Sequence, residues 1–199
     1  MKSLAQLLLT EEDLNPKYQI YCDMDGVLTD FERRFVDMLR QHGREYFSKQ
    51  VIDQVTRPKH LKALEGEEEF WNFIDNMGEE FWAQMPWMPN GSQLWDFIKT
   101  YDPIILTSPS YQNTSRLGKT QWVQQNLKPI PPVRFKFGEA KADYATPTSI
   151  LIDDKPSNLS AWKGAGGIAM EVKDGETNSV IKKLKELGYG ARELIKKGV

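Results

Sequence analysis

Two aspartates directly follow a short apolar segment near the start of the chain. Residues 18–22 combine aromatic, β-branched and apolar side chains, which is typical of a buried strand. Asp23 and Asp25 come next, and Gly26 allows a tight turn that keeps both carboxylates at the end of the strand. Carboxylates held this way can serve as a nucleophile, as an acid/base group and as ligands of a divalent cation.

Two later apolar segments also end in polar residues. Thr107 and Ser108 follow one of them, and Asp153 and Asp154 follow the other. Strands that alternate with helices indicate a parallel sheet, and such sheets bind ligands at the carboxyl ends of their strands. The sequence therefore predicts a Rossmann-like α/β fold in which these residues meet the Asp23 pair at one edge of the sheet.

This set of side chains suits the cleavage of a phosphate ester. A carboxylate nucleophile and an anionic phosphate repel each other unless a divalent metal such as Mg²⁺ lies between them. A second acid has to protonate the leaving oxygen and then activate water, while hydroxyl and ammonium donors hold the phosphoryl oxygens. Lys119 or Lys141 offers the ammonium, and Lys136 lies close to Lys141 in the sequence.

An aromatic segment interrupts the pattern of alternating strands and helices. Residues 44–89 are rich in glutamate and aromatic side chains, show no strand pattern, and end in a proline-asparagine-glycine turn signal. We predict a helical cap subdomain over residues 31–89, inserted after the first catalytic strand. Residues 1–30 and 90–199 then form the core domain, with a short amphipathic helix at the start and a lysine-rich helix at the end.

Three motifs at the predicted strand ends resemble those of a known enzyme superfamily. The sequence DMDGVLTD at 23–30 resembles the first motif of the haloacid dehalogenase (HAD) superfamily, LTS at 106–108 its second, and LIDD at 151–154 its fourth. The match narrows when neighbouring residues are included, because DFE at 30–32 and the segment 119–127 resemble the 5′(3′)-deoxyribonucleotidase family. The resemblance covers about residues 18–160.

The resemblance implies specific roles for the aspartates. Asp23 would be the phosphorylated nucleophile, and Asp25 the acid/base group whose backbone carbonyl also contacts Mg²⁺. Asp154 would complete the metal site formed with Asp23 and Asp25, and Asp153 would lie beside it. The same resemblance implies a helical cap after the first motif.

The resemblance also implies how the phosphate is held. Thr107 and Ser108 would bind the phosphate group, and Lys141 occupies the position expected for the lysine of the third motif. Lys119 is the other candidate for this ammonium. The substrate implied is a small phosphorylated molecule, namely a nucleoside monophosphate and in particular a deoxyribonucleotide.

Two aromatic residues of the insertion are candidates for binding the base of such a substrate. Phe31 directly follows the first motif, so its ring is expected near the mouth of the site. Trp71 lies in a part of the cap that resembles the base-binding wall of the family. Aromatic faces stack on any base, although both rings could equally form the core of the cap.

The composition argues against several classes of protein. The 199 residues, 40% hydrophobic and 27% charged, suit one globular domain with a small insertion. A formal net charge of -2 argues against a dedicated nucleic-acid or anionic-membrane surface, and no stretch is long and apolar enough to cross a membrane. A single cysteine excludes an intrachain disulfide. We expect a cytoplasmic protein whose oligomeric state is open.

Other interpretations remain open. Residues 21–32 nearly fit a calcium-binding EF-hand loop, but Tyr21 cannot be a ligand there and a strand precedes the loop. Residues 113–120 nearly fit a kinase P-loop, but Asn113 replaces its first glycine. A phosphatase of the same chemistry could act on a sugar phosphate or on the 3′-phosphate end of a polynucleotide. A catalytically idle nucleotide- or protein-binding module is the alternative of another class.

Overall fold

A computed structural model describes residues 18–45, 47, 49, 52 and 68–190 of the chain. These residues form an α/β fold around a five-stranded sheet whose strands are all parallel and lie in the order β3-β2-β1-β4-β5. The strands are β1 (Gln19–Cys22), β2 (Ile104–Thr107), β3 (Val133–Phe135), β4 (Ser149–Asp153) and β5 (Ile168–Glu171). The predicted parallel α/β fold is therefore confirmed.

Helices connect the strands. They are α1 (Phe31–His42), α2 (Glu68–Asn76), α3 (Gly78–Ala83), α4 (Gly91–Ile98), α5 (Asn113–Asn126), α6 (Pro156–Gly164) and α7 (Asn178–Glu186). Short 3₁₀ helices lie at Gly43–Glu45, Lys99–Tyr101 and Gly138–Tyr144. None of the helices in the described ranges is long and apolar enough to span a membrane.

The strand order places the polar strand ends next to one another. β1 lies between β2 and β4, and its last residue, Cys22, pairs with Ile105 on one side and Ile152 on the other. Every residue of β4 is buried, which matches its continuous apolar sequence. The residues that follow β1 and those that end β2 and β4 consequently share the carboxyl edge of the sheet.

The predicted helical insertion lies between β1 and α4. Its helices are held together by aromatic rings: Phe35 stacks on Phe70 at 4.5 Å between ring centroids and meets Phe73 edge-on at 5.4 Å. These rings belong to the same hydrophobic cluster as the sheet residues Ile20 and Ile105. The insertion is thus continuous with the core rather than packed around a core of its own.

Helix α5 begins earlier than the apolar pattern indicates. The sequence predicts a helix near 117–127, whereas α5 starts at Asn113. The first turn is polar, and Ser115 stabilises it because its hydroxyl donates to the carbonyl of Gln112 at 3.0 Å and accepts from the amide of Ser110 at 2.9 Å. The predicted N-terminal helix lies outside the described residues. The predicted lysine-rich helix at the other end is described up to residue 190 and contains α7.

Candidate active site

The loop after β1 holds Asp23 and Asp25 in place. The carbonyl of Met24 accepts from the amides of Leu28 and Thr29 at 2.7 and 2.8 Å, which closes a tight turn. Gly26 sits in this turn with a φ of +77°, a conformation that favours glycine. The Asp23 carboxylate is anchored as well, because its Oδ1 accepts from the amide of Met24 at 2.7 Å.

A buried lysine joins the end of β1 to the end of β4. The ammonium of Lys141 lies 2.7 Å from Asp23 Oδ2 and 2.7 Å from Asp153 Oδ2, and its side chain is fully buried. Burial alone would lower the pKa of Lys141, but the two carboxylates outweigh burial and raise it. The lysine is therefore charged and balances two adjacent carboxylates that would otherwise repel each other.

Asp153 is fixed from its other side by the start of α6. Asn158 Nδ2 donates to both carboxylate oxygens of Asp153 at 3.1 Å, and the amide of Lys155 donates to Oδ1 at 2.8 Å. Burial, followed by the nearby charge of Asp23, raises the pKa of Asp153 to about 6 despite Lys141. With these partners, Asp153 orients Lys141 rather than facing open space.

A second lysine connects Asp25 to the end of β2. The ammonium of Lys119 donates to Asp25 Oδ2 at 2.6 Å, to Thr107 Oγ1 at 3.1 Å and to the carbonyl of Ser108 at 2.6 Å. The other oxygen of Asp25 accepts from the hydroxyl of Thr29 at 3.1 Å. Both oxygens of Asp25 are thereby oriented, one by Lys119 of α5 and the other by Thr29 of the loop after β1.

Asp154 has the properties of a metal ligand. Ligand atoms of Asp23, Asp153 and Asp154 lie within 4.8 Å of one another, and Asp154 Oδ1 is buried without a hydrogen-bond partner among the described residues. Burial and then the charges of Asp23 and Asp153 raise the pKa of Asp154 to about 7. A side chain at position 26 would collide with Asp154, since a Cβ there would lie 2.4 Å from Oδ2. This group of oxygens fits a hard divalent cation.

A cavity of about 550 Å³ opens over these residues. Asp23, Asp25, Lys119 and Asp154 line its floor. Aromatic side chains of the insertion line one wall, namely Phe31, Phe70, Trp71 and Trp82. The cavity therefore joins a charged floor to an apolar wall, an arrangement suited to an anion that carries a flat group.

Comparison with known proteins identifies the family. Residues 17–184 match the family described as 5′ nucleotidase, deoxy (pyrimidine), cytosolic type C protein (NT5C). The chain belongs to this family. No curated protein sequence matches the chain.

Solved structures share the fold of this NT5C family member. A HAD-superfamily hydrolase from Ehrlichia chaffeensis superimposes with a TM-score of 0.51 at 15% identity, over 87% of this chain and 98% of that chain. The HAD hydrolase YfnB from Bacillus subtilis, bound to magnesium, superimposes with a TM-score of 0.52 at 11% identity, over 78% of this chain and 86% of that chain. Family and fold together make the protein a HAD-type phosphatase.

The predicted phosphate-binding residues differ in whether they line the cavity. Ser108 and Lys119 line the cavity. Thr107 and Lys141 are fully buried and lie behind the cavity lining. Lys136 lies elsewhere: its exposed ammonium pairs with Asp143 at 2.6 Å. Of the three candidate lysines, the structure brings Lys119 and Lys141 to the aspartates and leaves Lys136 outside.

The residues predicted to bind the metal and the base all line the cavity. The carboxylate of Asp25 contacts Lys119 and Thr29, and the acidic cluster consists of Asp23, Asp153 and Asp154. The role of the Asp25 backbone carbonyl as a metal ligand stays a prediction. Phe31 and Trp71 both line the cavity, and their role in binding a base stays a prediction. Phe31 is also packed within the insertion, with its ring stacked on Trp82 at 5.7 Å.

The sequence reasoning missed several residues of the site, among them Thr29, Trp82 and Asn158. Two of these three carried a usable signal. Thr29 lies inside the first motif, and Asn158 lies four residues after Asp154, at the start of a helix opened by Pro156. Trp82 offered no such signal, because the insertion contains many aromatic residues and only the packing distinguishes among them.

The structure also bears on the two competing short motifs. Residues 113–120 form the first turns of α5, so they are helical where a P-loop requires a phosphate-cradling loop. Tyr21 lies within β1, whereas an EF-hand loop follows a helix. Neither alternative interpretation fits the backbone that is observed.

Proposed function

We propose that this HAD-type phosphatase is a magnesium-dependent phosphomonoesterase that hydrolyses nucleoside monophosphates, in particular deoxyribonucleoside monophosphates, through an aspartyl phosphate on Asp23. The observation that carries the proposal is the cavity itself, whose floor contains Asp23 and whose wall is aromatic. Membership of the NT5C family supports the nucleotide substrate. In this proposal residues 31–89 act as the cap, and residues 1–30 and 90–199 as the catalytic core.

In the first half of the reaction, a carboxylate oxygen of Asp23 attacks phosphorus. A bond forms between Asp23 and phosphorus, the bond from phosphorus to the nucleoside oxygen breaks, and Asp25 gives its proton to that oxygen. Lys141 orients the Asp23 carboxylate, because its ammonium lies 2.7 Å from Asp23 Oδ2. Thr29 and Lys119 hold the Asp25 carboxylate next to the reacting oxygen.

In the second half, water attacks the phosphorus of the aspartyl phosphate. Asp25 takes a proton from this water, the bond from phosphorus to Asp23 breaks, and inorganic phosphate leaves. Lys119 and Thr29 hold the Asp25 carboxylate in position for this step as well. The same two groups therefore orient Asp25 in both halves.

Asp23 and Asp154 would hold Mg²⁺, with the backbone carbonyl of Asp25 as a third protein ligand. The unpartnered Oδ1 of Asp154 supports this assignment. When bound, the ion offsets the charge between the nucleophile and the anionic substrate. The magnesium bound to YfnB, a protein with the same fold, supports the choice of ion.

The aromatic wall supports a substrate that carries a base. Trp71 lines the cavity and is still 37% exposed, so part of its ring is available to a ligand. Phe31 lines the same cavity and directly follows the first motif. A stacked base gains about 1–3 kcal/mol from an aromatic ring, whereas a sugar phosphate has no flat face to stack.

Phosphate release from a panel of phosphorylated metabolites tests the proposal. The panel contains deoxyribonucleoside and ribonucleoside monophosphates, sugar phosphates and a polynucleotide with a 3′-phosphate end. Each is assayed with Mg²⁺, with Ca²⁺ and with chelator. We expect the highest kcat/KM for a deoxyribonucleotide with Mg²⁺, poor activity with Ca²⁺, and none in chelator. Full activity in chelator would refute the metal site, and a preference for another class would refute the substrate.

A further inference from the structure

The ammonium of Lys119 lies under the ring of a cap residue. Lys119 is fully buried, and its Nζ lies 4.9 Å from the centroid of the Trp82 ring. Its three contacts to Asp25, Thr107 and the carbonyl of Ser108 use the three N–H groups that an ammonium has. The ring is therefore a further contact, made to the charge of the ammonium rather than to one of its N–H groups.

The face of an indole ring suits this position. It attracts a cation electrostatically, and the attraction is stronger where water is excluded. The Trp82 side chain is itself only 2% exposed. Trp82 therefore both stabilises the buried ammonium and keeps water from competing for its three hydrogen bonds.

The packing of two helices fixes the Trp82 ring over Lys119. Trp82 belongs to α3 and Lys119 to α5, and these helices touch at Gly118, where a Cβ would lie 2.3 Å from the carbonyl oxygen of Glu79 and 2.6 Å from Trp82 Cβ. The ring also meets Phe81 edge-on at 5.1 Å and stacks on Phe31 at 5.7 Å. The ring has little freedom to leave the ammonium.

We infer that Trp82 is a positioning residue of the phosphatase reaction, which holds the Lys119 ammonium on Asp25 and Thr107 through the face of its indole ring. The inference rests on the proposed function, in which Asp25 transfers the proton. It also connects the cap to the catalytic floor, because a cap residue then sets the position of a floor ammonium. Loss of the ring changes turnover even for a substrate that has nothing to stack.

Turnover of glycerol 2-phosphate tests this inference, since this substrate has no ring. Trp82→Leu removes the aromatic face, and Trp82→Phe keeps one. Phe81→Leu is the matched control, because Phe81 packs on Trp82 in the same helix but does not line the cavity. Thermal melts establish that each variant is folded before kcat and KM are measured.

We expect Trp82→Leu to lower kcat about tenfold or more, because the ammonium that it releases is a donor of the site. KM should change little. Trp82→Phe should recover most of the wild-type kcat, and Phe81→Leu should melt earlier while keeping its kcat. In a Lys119→Met background, Trp82→Leu should cause no further loss of kcat.

Two results would overturn the inference. One is a Trp82→Leu variant with wild-type kcat, and the other is a loss of kcat that Phe81→Leu shares in proportion to its lower melting temperature. Failure of the proposed function looks different, because wild-type protein would then release no phosphate from any monoester. Wild-type activity together with either contrary result rejects the role of Trp82 alone.

Discussion

At the scale of single residues, Lys141 carries the charge balance of the site. Changing Lys141→Met leaves Asp23 and Asp153 side by side without a cation, and breaking such a buried pair typically costs about 3–5 kcal/mol. We expect lower thermal stability and a loss of kcat of about 10²-fold or more, since the nucleophile loses its orienting charge. Melting curves and phosphate release measure the two effects.

Lys136→Met is the matched control for this change. Lys136 pairs with Asp143 at the surface, so its loss should leave both the melting temperature and kcat close to wild type. If the two changes had equal and mild effects, Lys141 would have no catalytic role, and Lys119 would be the main ammonium of the site.

Asp154 gives the metal-free protein a specific pH dependence. The raised pKa, about 7, means that the folded protein binds this proton more tightly than the unfolded chain does. The free energy of unfolding should therefore fall as the pH rises from about 4 to about 7. Asp154→Asn removes the charge with little change in shape, so in chelator the variant should lose less stability than wild type over this range.

Thermal melts of both proteins in chelator, at pH values below and above this range, test the effect. Asp153, whose pKa is also raised, is present in both proteins. Parallel curves for wild type and Asp154→Asn would contradict the assignment of the effect to Asp154. Added Mg²⁺ should raise the melting temperature of wild type above that range and leave the variant unchanged.

At the scale of elements, we propose that the insertion decides which phosphate esters are accepted. In this proposal the floor residues recognise the phosphate alone, and the aromatic wall selects the group attached to it. We expect Trp71→Ala to lower kcat/KM for a deoxyribonucleotide by about tenfold, in line with the loss of one stacked base. Its kcat/KM for glycerol 2-phosphate should stay near wild type.

Phe31→Ala gives a second test of the aromatic wall, but this change affects both substrate binding and packing. Phe31 contacts Phe70, Phe81 and Trp82 as well as the cavity, so this variant should both melt earlier and lose selectivity. The ratio of kcat/KM for the two substrates separates the effects. An unchanged ratio in both variants would mean that the rings serve only as cap core, and would reopen the non-nucleotide substrates.

The contact between α3 and α5 sets how closely the cap approaches the core. By helix propensity alone, Gly118→Ala should stabilise α5 by about 1 kcal/mol. The new Cβ, however, would lie 2.3 Å from the carbonyl oxygen of Glu79. Because the added Cβ would meet a backbone carbonyl, which cannot move aside easily, we expect a net destabilisation of about 1–3 kcal/mol. Gly164→Ala is the control, since nothing lies within 4 Å of its Cβ. Equal melting temperatures of the two variants would contradict this close packing.

At the scale of the whole molecule, the sheet and its polar edge could be predicted because their signals are local. The centre of β4 is apolar, Asp153 ends the strand and Asp154 follows it, and parallel strands bring such ends together. The order of the strands and the continuity of the cap with the core depend on contacts between distant segments. Sequence spacing does not encode these contacts.

The same distinction separates the site residues. Asp23 and Asp154 stand at strand ends and could be predicted from the chain alone. The division of labour between Lys119 and Lys141 could not, because it depends on which helix or 3₁₀ turn faces which carboxylate. Trp82 is the extreme case, since its relation to Lys119 exists only once α3 packs on α5.

The central claim is that the phosphoryl group passes through Asp23. The most direct measurement uses a deoxyribonucleoside monophosphate with a radiolabelled phosphate, incubated with enzyme and Mg²⁺ and quenched in acid during turnover. We predict label on the peptide that contains Asp23, and neither label nor phosphate release with folded Asp23→Asn protein. Steady release of phosphate by Asp23→Asn, or label bound to another residue, would contradict the account.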